Sequence, residues 1–290
     1  MFRGDVSPAR YVSTTRFALW SLTAIVITGG AVRLTGSGLG CSDWPNCEQD
    51  QLVASLEYHA LIEFVNRLFT GVVTVAVVAA VLGSRRRSPR RRDLTRWSWG
   101  LVAGVVAQIL LGAVLVKTDL DPRFTMGHFL LSMVLLWNAA VLHHRALAVT
   151  PTTSVADSRL VMLVRSVSVG AAVLLVSGTV VTGSGPHSGS DRDEVAERLP
   201  FLVRDVTRVH SSIAILVLLL VAASWMAART AGRPEVERRA LLVGALLVAQ
   251  GIVGYAQYFA GVPVLLVAVH ITLASLLWVS VVRLHLWTAP

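Results

Sequence analysis

Four histidines and one glutamate fall inside or at the edge of strongly apolar runs: His59, Glu63, His128, His210 and His270. An ionisable side chain inside such a run is costly, so each is a functional candidate by default. His210 and His270 stand at similar depth on two runs of the C-terminal half. Two facing imidazoles at matched depth are what a six-coordinate haem iron requires, with the porphyrin edge between helices. A single buried histidine is more often a hydrogen-bonded structural residue, and it is the recurrence of the arrangement in both halves that favours ligation. The N-terminal half adds His59, Glu63, Asn66 and Arg67 at helical spacing, which lines up His59, Glu63 and either Asn66 or Arg67 along one face. For Glu63 and Arg67 two readings stand together, mutual neutralisation within the bilayer and acid–base chemistry. His143, His144 and His285 read as helix-end residues for which capping or plain solvation suffices. His187, in a Gly/Ser-rich stretch, reads as a turn residue or a propionate contact.

The elements that must position these groups follow from composition. The 290 residues are 54% hydrophobic and only 15% charged, well short of the quarter expected of a soluble domain. Eight apolar runs, at 17–32, 60–82, 97–116, 124–142, 162–181, 209–228, 241–259 and 264–282, approach or reach spanning length. The fold class expected is an all-α polytopic membrane protein of eight transmembrane helices, with no room for a separate soluble domain. The net charge of +9 does not indicate nucleic acid, because the cations sit in short clusters between the spans. Most of the 26 Lys and Arg lie on one side, including the run from Arg85 to Arg96, which places both termini in the cytoplasm by the positive-inside rule. That run reads most simply as a topology determinant, ahead of a nucleic-acid or lipid-headgroup role. The same orientation sets the candidate histidines toward the outer face.

The halves repeat each other. Thr35-Gly36-Ser37-Gly38 recurs as Thr182-Gly183-Ser184-Gly185, an offset of 147. Ala107-Gln108 with Gly112 recurs as Ala249-Gln250 with Gly254, and His128 recurs as His270, both at an offset of 142. Two duplicated four-helix bundles, residues 1–150 and 151–290, are expected. The repeat is not symmetric in chemistry: where the second half offers His210, the first offers Asn66 and adds Glu63. Cys41 and Cys47, both in the first outward loop, read as a disulfide closing a small loop, either a staple or a redox-active pair.

The stretch from Gly29 to Leu39 followed by Cys41, Asp43-Trp44-Pro45 and Cys47 resembles the first outward loop of heme A synthases. So do Glu63-Phe64-Val65-Asn66-Arg67-Leu68, the stretch from Gly178 to His187, and Gln250-Gly251-Ile252-Val253-Gly254-Tyr255. These motifs span nearly the whole chain in the family's order. The resemblance implies an oxidoreductase of the bacterial cell membrane that converts the C8 methyl of heme O to a formyl group, giving heme A for cytochrome oxidase. It implies heme b as cofactor, ligated by His210 and His270 in the C-terminal bundle. It implies heme O as substrate in the N-terminal bundle, approached by His128, with Glu63 as the essential carboxylate and Cys41–Cys47 as the outward pair. A heme O synthase and cytochrome oxidase assembly proteins are the implied partners, and a homo-oligomer is left open. The chain departs from the family at Asn66, where a second N-terminal-bundle histidine is usual. Either His128 is the only strong protein ligand of the substrate iron, or His59 stands in; a shift of about 10 Å along the helix favours the first. Two rival readings remain. A heme b cytochrome exchanging electrons with quinone would show the same His pair, and a repeat-built transporter would also carry polar groups in its spans.

Overall fold

Each apolar run lies within a longer helix in the computed structural model, which describes residues 5–41, 47, 56–147, 157–190 and 197–288. The helices are α1 (Pro8–Leu34), α2 (Tyr58–Arg86), α3 (Arg92–Lys117), α4 (Pro122–Leu147), α5 (Ser158–Ser184), α6 (Val203–Thr230), α7 (Pro234–Phe259) and α8 (Val264–Thr288). All eight are long and apolar enough to cross a membrane, and no extended strand occurs among the described residues. The chain is thus an all-helical, multi-pass membrane protein. The Asp43-Trp44-Pro45 stretch lies outside the described residues.

Helix ends extend past the apolar runs because polar residues there still satisfy backbone groups. α1 begins at Pro8, with Ser7 as N-cap accepting from the Arg10 amide. The Ser13 and Thr14 hydroxyls then donate to carbonyls one turn back. α5 opens the same way, with Asp157 accepting from the Arg159 amide at 3.1 Å.

Two compact units emerge, Met1–Ala148 with His187–Glu197, and Val149–Pro186 with Arg198–Pro290. In the first, α1 packs on α2 and α4, and α3 joins α2 to α4, closing a ring of four; in the second, α5 to α8 close the same ring. Residues His187–Glu197 group with the first unit, which a division at residue 150 alone does not anticipate. The cause is local bonding: Arg33 donates from Nε and Nη2 to the His187 carbonyl, and the Gly38 amide donates to Gly189 O at 2.8 Å. Gly189, at φ +105°, lies against Arg33 and Leu120, and a side chain there would be strained as well as crowded. In the first ring, fully buried Tyr11 reaches across to Ser98 of α3, with 2.9 Å between the hydroxyls.

The offset of 142 organises far more of the structure than the motifs that reveal it. Asp119 and Leu120, at φ 49° and 61°, turn α3 into α4; Gly261 and Val262, at φ 77° and 61°, turn α7 into α8. The Leu120 amide donates to Leu115 O and the Val262 amide to Gln257 O, again 142 apart. Three of these four residues are not glycine, and a β-branched valine is a poor occupant of the left-handed region, so the same strained turn persists in both copies. At the arginine-rich end the copies exchange partners. Arg145 of α4 lies 5.7 Å over the Trp97 ring of α3, whereas Arg239 of α7 lies 4.4 Å over the Trp287 ring of α8. Position 97 corresponds to 239 and position 145 to 287, so cation and ring have swapped helices. A carboxylate sits beside the cation in each unit: Asp93 with Arg145 at 3.7 Å, and Glu235 with Arg239 at 3.9 Å.

This reciprocity makes a prediction for the first unit. Arg145→Ala should lower its thermal stability by about 0.5–1 kcal/mol, the range for an accessible cation–π pair. The exchange Trp97→Arg with Arg145→Trp should recover most of that loss in a detergent melting assay, because the second unit already uses that arrangement beside a carboxylate. A double variant no more stable than Arg145→Ala would show that the two pairs are not equivalent.

Candidate functional sites

In the second unit His210 is the eighth residue of α6 and His270 the seventh of α8. The Nδ1 of His210 is paired with the Ser177 hydroxyl of α5 at 2.9 Å, which fixes the ring and leaves Nε2 to face elsewhere. His270 Nδ1 is buried without a hydrogen-bond partner among the described residues. Each ring also rests against a glycine. A Cβ on Gly178 would come within 3.1 Å of His210 Cε1, and one on Gly254 within 3.3 Å of His270 Cε1. Side chains at either position would crowd the rings, so the two glycines form the walls of the histidine pair.

The first unit repeats half of this. His128 is the seventh residue of α4, as His270 is of α8. Its Nδ1 is likewise buried and unpartnered, and Gly112 faces its Cε1 as Gly254 faces that of His270. The Gln108 amide holds the turn behind it, donating to the His128 carbonyl at 3.0 Å and to Ser132 Oγ at 2.6 Å. On α2, Asn66 holds the position that His210 holds on α6, at an offset of 144. Its Oδ1 accepts from the Thr28 hydroxyl of α1 at 2.8 Å, so both copies tie this position to a hydroxyl on the preceding ring member.

Glu63 is the most connected of the expected residues. It is buried, at 7% exposure, yet both carboxylate oxygens are engaged. Oε1 accepts from Arg67 Nε at 3.2 Å and Nη2 at 2.6 Å, and Oε2 accepts from the Cys41 backbone amide at 2.8 Å. Glu63 therefore does two things at once: it neutralises Arg67, as the i, i+4 spacing allows, and it holds the cysteine loop onto α2. Cys41 and Cys47 form a disulfide and are almost wholly buried, packed on Ala60 and Phe64. Gly40 lies directly on the backbone of His59, where a Cβ would fall 2.3 Å from the carbonyl oxygen. His59 itself pairs through Nδ1 with the buried Ser37 hydroxyl at 3.0 Å, and Ser37 pairs with Thr35 at 2.8 Å. His59 thus sits in the seam between loop and helix, one turn above Glu63.

Three residues are used otherwise than their types implied. His143 is 6% exposed and pairs with Thr15 of α1 at 3.0 Å, so plain solvation does not describe it. Its counterpart 142 residues on, His285, pairs with Ser168 of α5 at 3.1 Å. These two histidines pin the last ring helix of each unit to the first, and the shared offset was the signal that could have found them. His187 contributes its backbone carbonyl, which binds Arg33. In the second unit Arg198 acts comparably, since its Nη2 donates to the carbonyls of Thr182 in the last turn of α5 and of Gly185 just after it, and burial lowers its pKa.

The family model described as COX15-CtaA, cytochrome oxidase assembly protein, matches residues 14–282. A heme A synthase of Geobacillus kaustophilus is 30% identical over 119 residues, which cover 39% of this chain and 37% of that protein. The match with a heme A synthase of Listeria welshimeri is longer and weaker, 22% identical over 273 residues, covering 89% of this chain and 88% of that protein. A protoheme IX farnesyltransferase of Thermus thermophilus is 34% identical over 100 residues, 34% of this chain and 16% of that protein. The stretches aligned with the first of these relatives span little more than a third of its length. With its motifs in order along eight spans and the family model covering nearly all of them, the chain belongs to the COX15-CtaA family of cytochrome oxidase assembly proteins.

Proposed function

We propose that this chain is a heme A synthase, oxidising the C8 methyl of heme O to a formyl group. The observation that carries the reading is the unequal furnishing of two equivalent sites. One ring carries two imidazoles, His210 on α6 and His270 on α8, each backed by a glycine. The other carries His128 on α4 and, on α2, Asn66 with the buried carboxylate of Glu63 three residues before it.

The second unit suits heme b held by His210 and His270. Ser177 fixes the His210 ring through Nδ1, which directs Nε2 to a ligand, and the buried His270 ring has in Nδ1 a nitrogen left without a partner among the described residues. If His210 and His270 held heme b, the group would supply one-electron transfer.

The first unit suits heme O as substrate. His128 approaches the iron, and Asn66, tied to Thr28, replaces a second strong ligand with a weak one. The methyl carbon would pass to the aldehyde through two successive two-electron oxidations: one adds an oxygen from water and releases two protons, the other releases two more, and an external electron acceptor takes the four electrons. The Glu63 carboxylate is the group placed to take the protons or to stabilise positive charge developing at that carbon. Arg67 and the Cys41 amide orient it for that role. On this reading the arginine-rich side with both termini is cytoplasmic, the sites lie toward the outer face of the plasma membrane, and the substrate comes from an enzyme that farnesylates haem. The likeness to a stretch of a protoheme IX farnesyltransferase supports that last step.

Pigment extraction from cells making this chain together with a heme O synthase tests the activity; heme O alone, with no heme A, overturns it. Glu63→Gln should keep the heme b spectrum and lower heme A formation by roughly 10²-fold or more, as loss of a proton-transfer group does. Full activity in that variant removes Glu63 from the chemistry. His210→Ala or His270→Ala should abolish the low-spin heme b signal, and so should Gly178→Val, which drives a branched side chain into the His210 ring. A normal spectrum in the histidine variants would mean that heme b is bound elsewhere.

A further inference from the structure

A groove of about 510 Å³ opens between α3 and α4 of the first unit. Its walls are apolar: Gly100 and Gly104 on α3, Leu131, Leu135 and Trp137 on α4, with Asn138 at its base. The two glycines bring α4 side chains close to the α3 backbone. A Cβ at Gly104 would lie 2.5 Å from Leu135 Cδ2, and one at Gly100 would lie 2.7 Å from Asn138 Nδ2. Asn138 donates to Trp97 O, while its Oδ1 is buried with no partner.

Arg96 lines this groove and also an adjoining pocket of about 420 Å³ formed with Arg90, Arg92, Thr95 and Trp99. Arg90, Arg92 and Arg96 are exposed, and none has an ion pair or hydrogen bond among the described residues. The nearby acid cannot serve them. Asp93 is taken by Arg91 at 2.6 Å and Arg145 at 3.7 Å. Three uncompensated guanidinium groups therefore stand at the mouth of an apolar channel. From Arg96 to Gly104 the channel follows α3 for about 12 Å, close to the depth of one bilayer leaflet's hydrocarbon.

The second unit shows that the fold does not require this. At the offset of 142, Gly100 becomes Leu242, Gly104 becomes Leu246, Trp137 becomes Val279 and Asn138 becomes Ser280. Arg96 becomes Arg238, which is neutralised by Glu235 at 2.7 Å. One copy of the hairpin carries a leucine in place of each groove glycine and pairs its arginine; the other keeps the groove open and the arginine free.

We infer that the α3–α4 groove binds one anionic glycerophospholipid from the leaflet on the arginine-rich side. The phosphodiester lies among Arg90, Arg92 and Arg96, and an acyl chain runs along Gly100 and Gly104. Charge complementarity selects the headgroup, since each cation near a membrane surface favours an anionic lipid. The apolar walls at matching depth accept the chain. The site is separate from Glu63 and His128, and its occupancy does not depend on the proposed reaction.

The test uses the full chain in bilayers of equal phosphatidylglycerol and phosphatidylcholine, released for native mass spectrometry so that retained lipids are identified by mass. Wild type should retain phosphatidylglycerol in preference. Arg96→Gln should weaken that preference roughly fivefold, and Arg92→Gln with Arg96→Gln further. Gly100→Leu, which copies the second unit, should lose the retained lipid whatever its headgroup, and Arg238→Gln should change nothing. Arg96 is exposed, so its replacement leaves folding intact even if Gly100→Leu disturbs Asn138. Equal retention of the two lipids by wild type overturns the inference, as does undiminished retention in Arg92→Gln with Arg96→Gln. A wild-type dimer that Gly100→Leu splits into monomers without loss of lipid would assign the groove to a second copy of the chain and overturn it as well.

Discussion

A carboxylate set within a membrane-spanning helix must find donors inside the protein, because the hydrocarbon offers none. Glu63 finds them in the Arg67 guanidinium and the Cys41 amide, and much of the first unit's outer end follows from that choice. Drawing the Cys41 amide onto α2 brings the disulfide against Ala60 and Phe64 and lays Gly40 on the backbone of His59. That in turn seats Ser37 against the His59 ring, and the neighbouring Gly38 amide binds the loop that arrives at Gly189. One buried charge thus organises a loop, a disulfide and a helix start. The same demand for partners explains why ring members are tied by hydroxyl–imidazole and hydroxyl–amide pairs: Thr15 with His143, Ser168 with His285, Ser177 with His210 and Thr28 with Asn66.

Duplication has kept the devices that set backbone geometry and released those that set chemistry. The left-handed turns at Leu120 and Val262, the glycines facing His128 and His270, and the His143 and His285 pins recur at one offset. The cation–ring pairs recur with their members exchanged, which shows that the contact and not the identity of either residue is what the fold needs at that point. By contrast, position 66 against 210, positions 100 and 104 against 242 and 246, and the pairing of Arg96 against Arg238 have diverged. On the readings proposed above, each of these is a position where a bound molecule would meet the side chain.

The spans, the repeat, the cysteine pair and the clustered histidines were legible in the sequence because each rests on local composition or fixed spacing. Apolar runs mark where a helix meets lipid, so their centres came out well and their ends did not. The first run begins at residue 17 but its helix begins at Pro8, since Ser7 caps it and hydroxyls satisfy the turns between. His143 looked solvated because its partner, Thr15, is 128 residues away. The docking of His187–Glu197 on the first unit was equally hidden, because it runs through backbone carbonyls and amides that every residue carries. The exchanged Arg–Trp pairs lay in plain view at the offset of 142, but matching identical residues passes over a contact whose members have traded places.

Asn66 is the departure on which the proposed chemistry turns, and its surroundings give it a physical sense. A cofactor that stays bound is served by two strong axial ligands, and His210 with His270 offers a pair of rings whose positions are fixed by Ser177 and by the glycines behind them. A substrate that must leave as product is served by fewer. If the first unit held its haem as the second does, each turnover would have to break two iron–imidazole bonds. On the proposed reading, with Asn66 bound to Thr28, release would require breaking one strong bond at His128. Affinity for the haem then rests more on the apolar walls of the ring, which hold substrate and product alike because the two differ at a single carbon. Glu63 is kept in place by Arg67 and the cysteine loop whether or not a haem is present, so its position is set before the substrate arrives. A preset carboxylate beside a releasable haem is the division of labour that an enzyme needs and an electron-transfer protein does not.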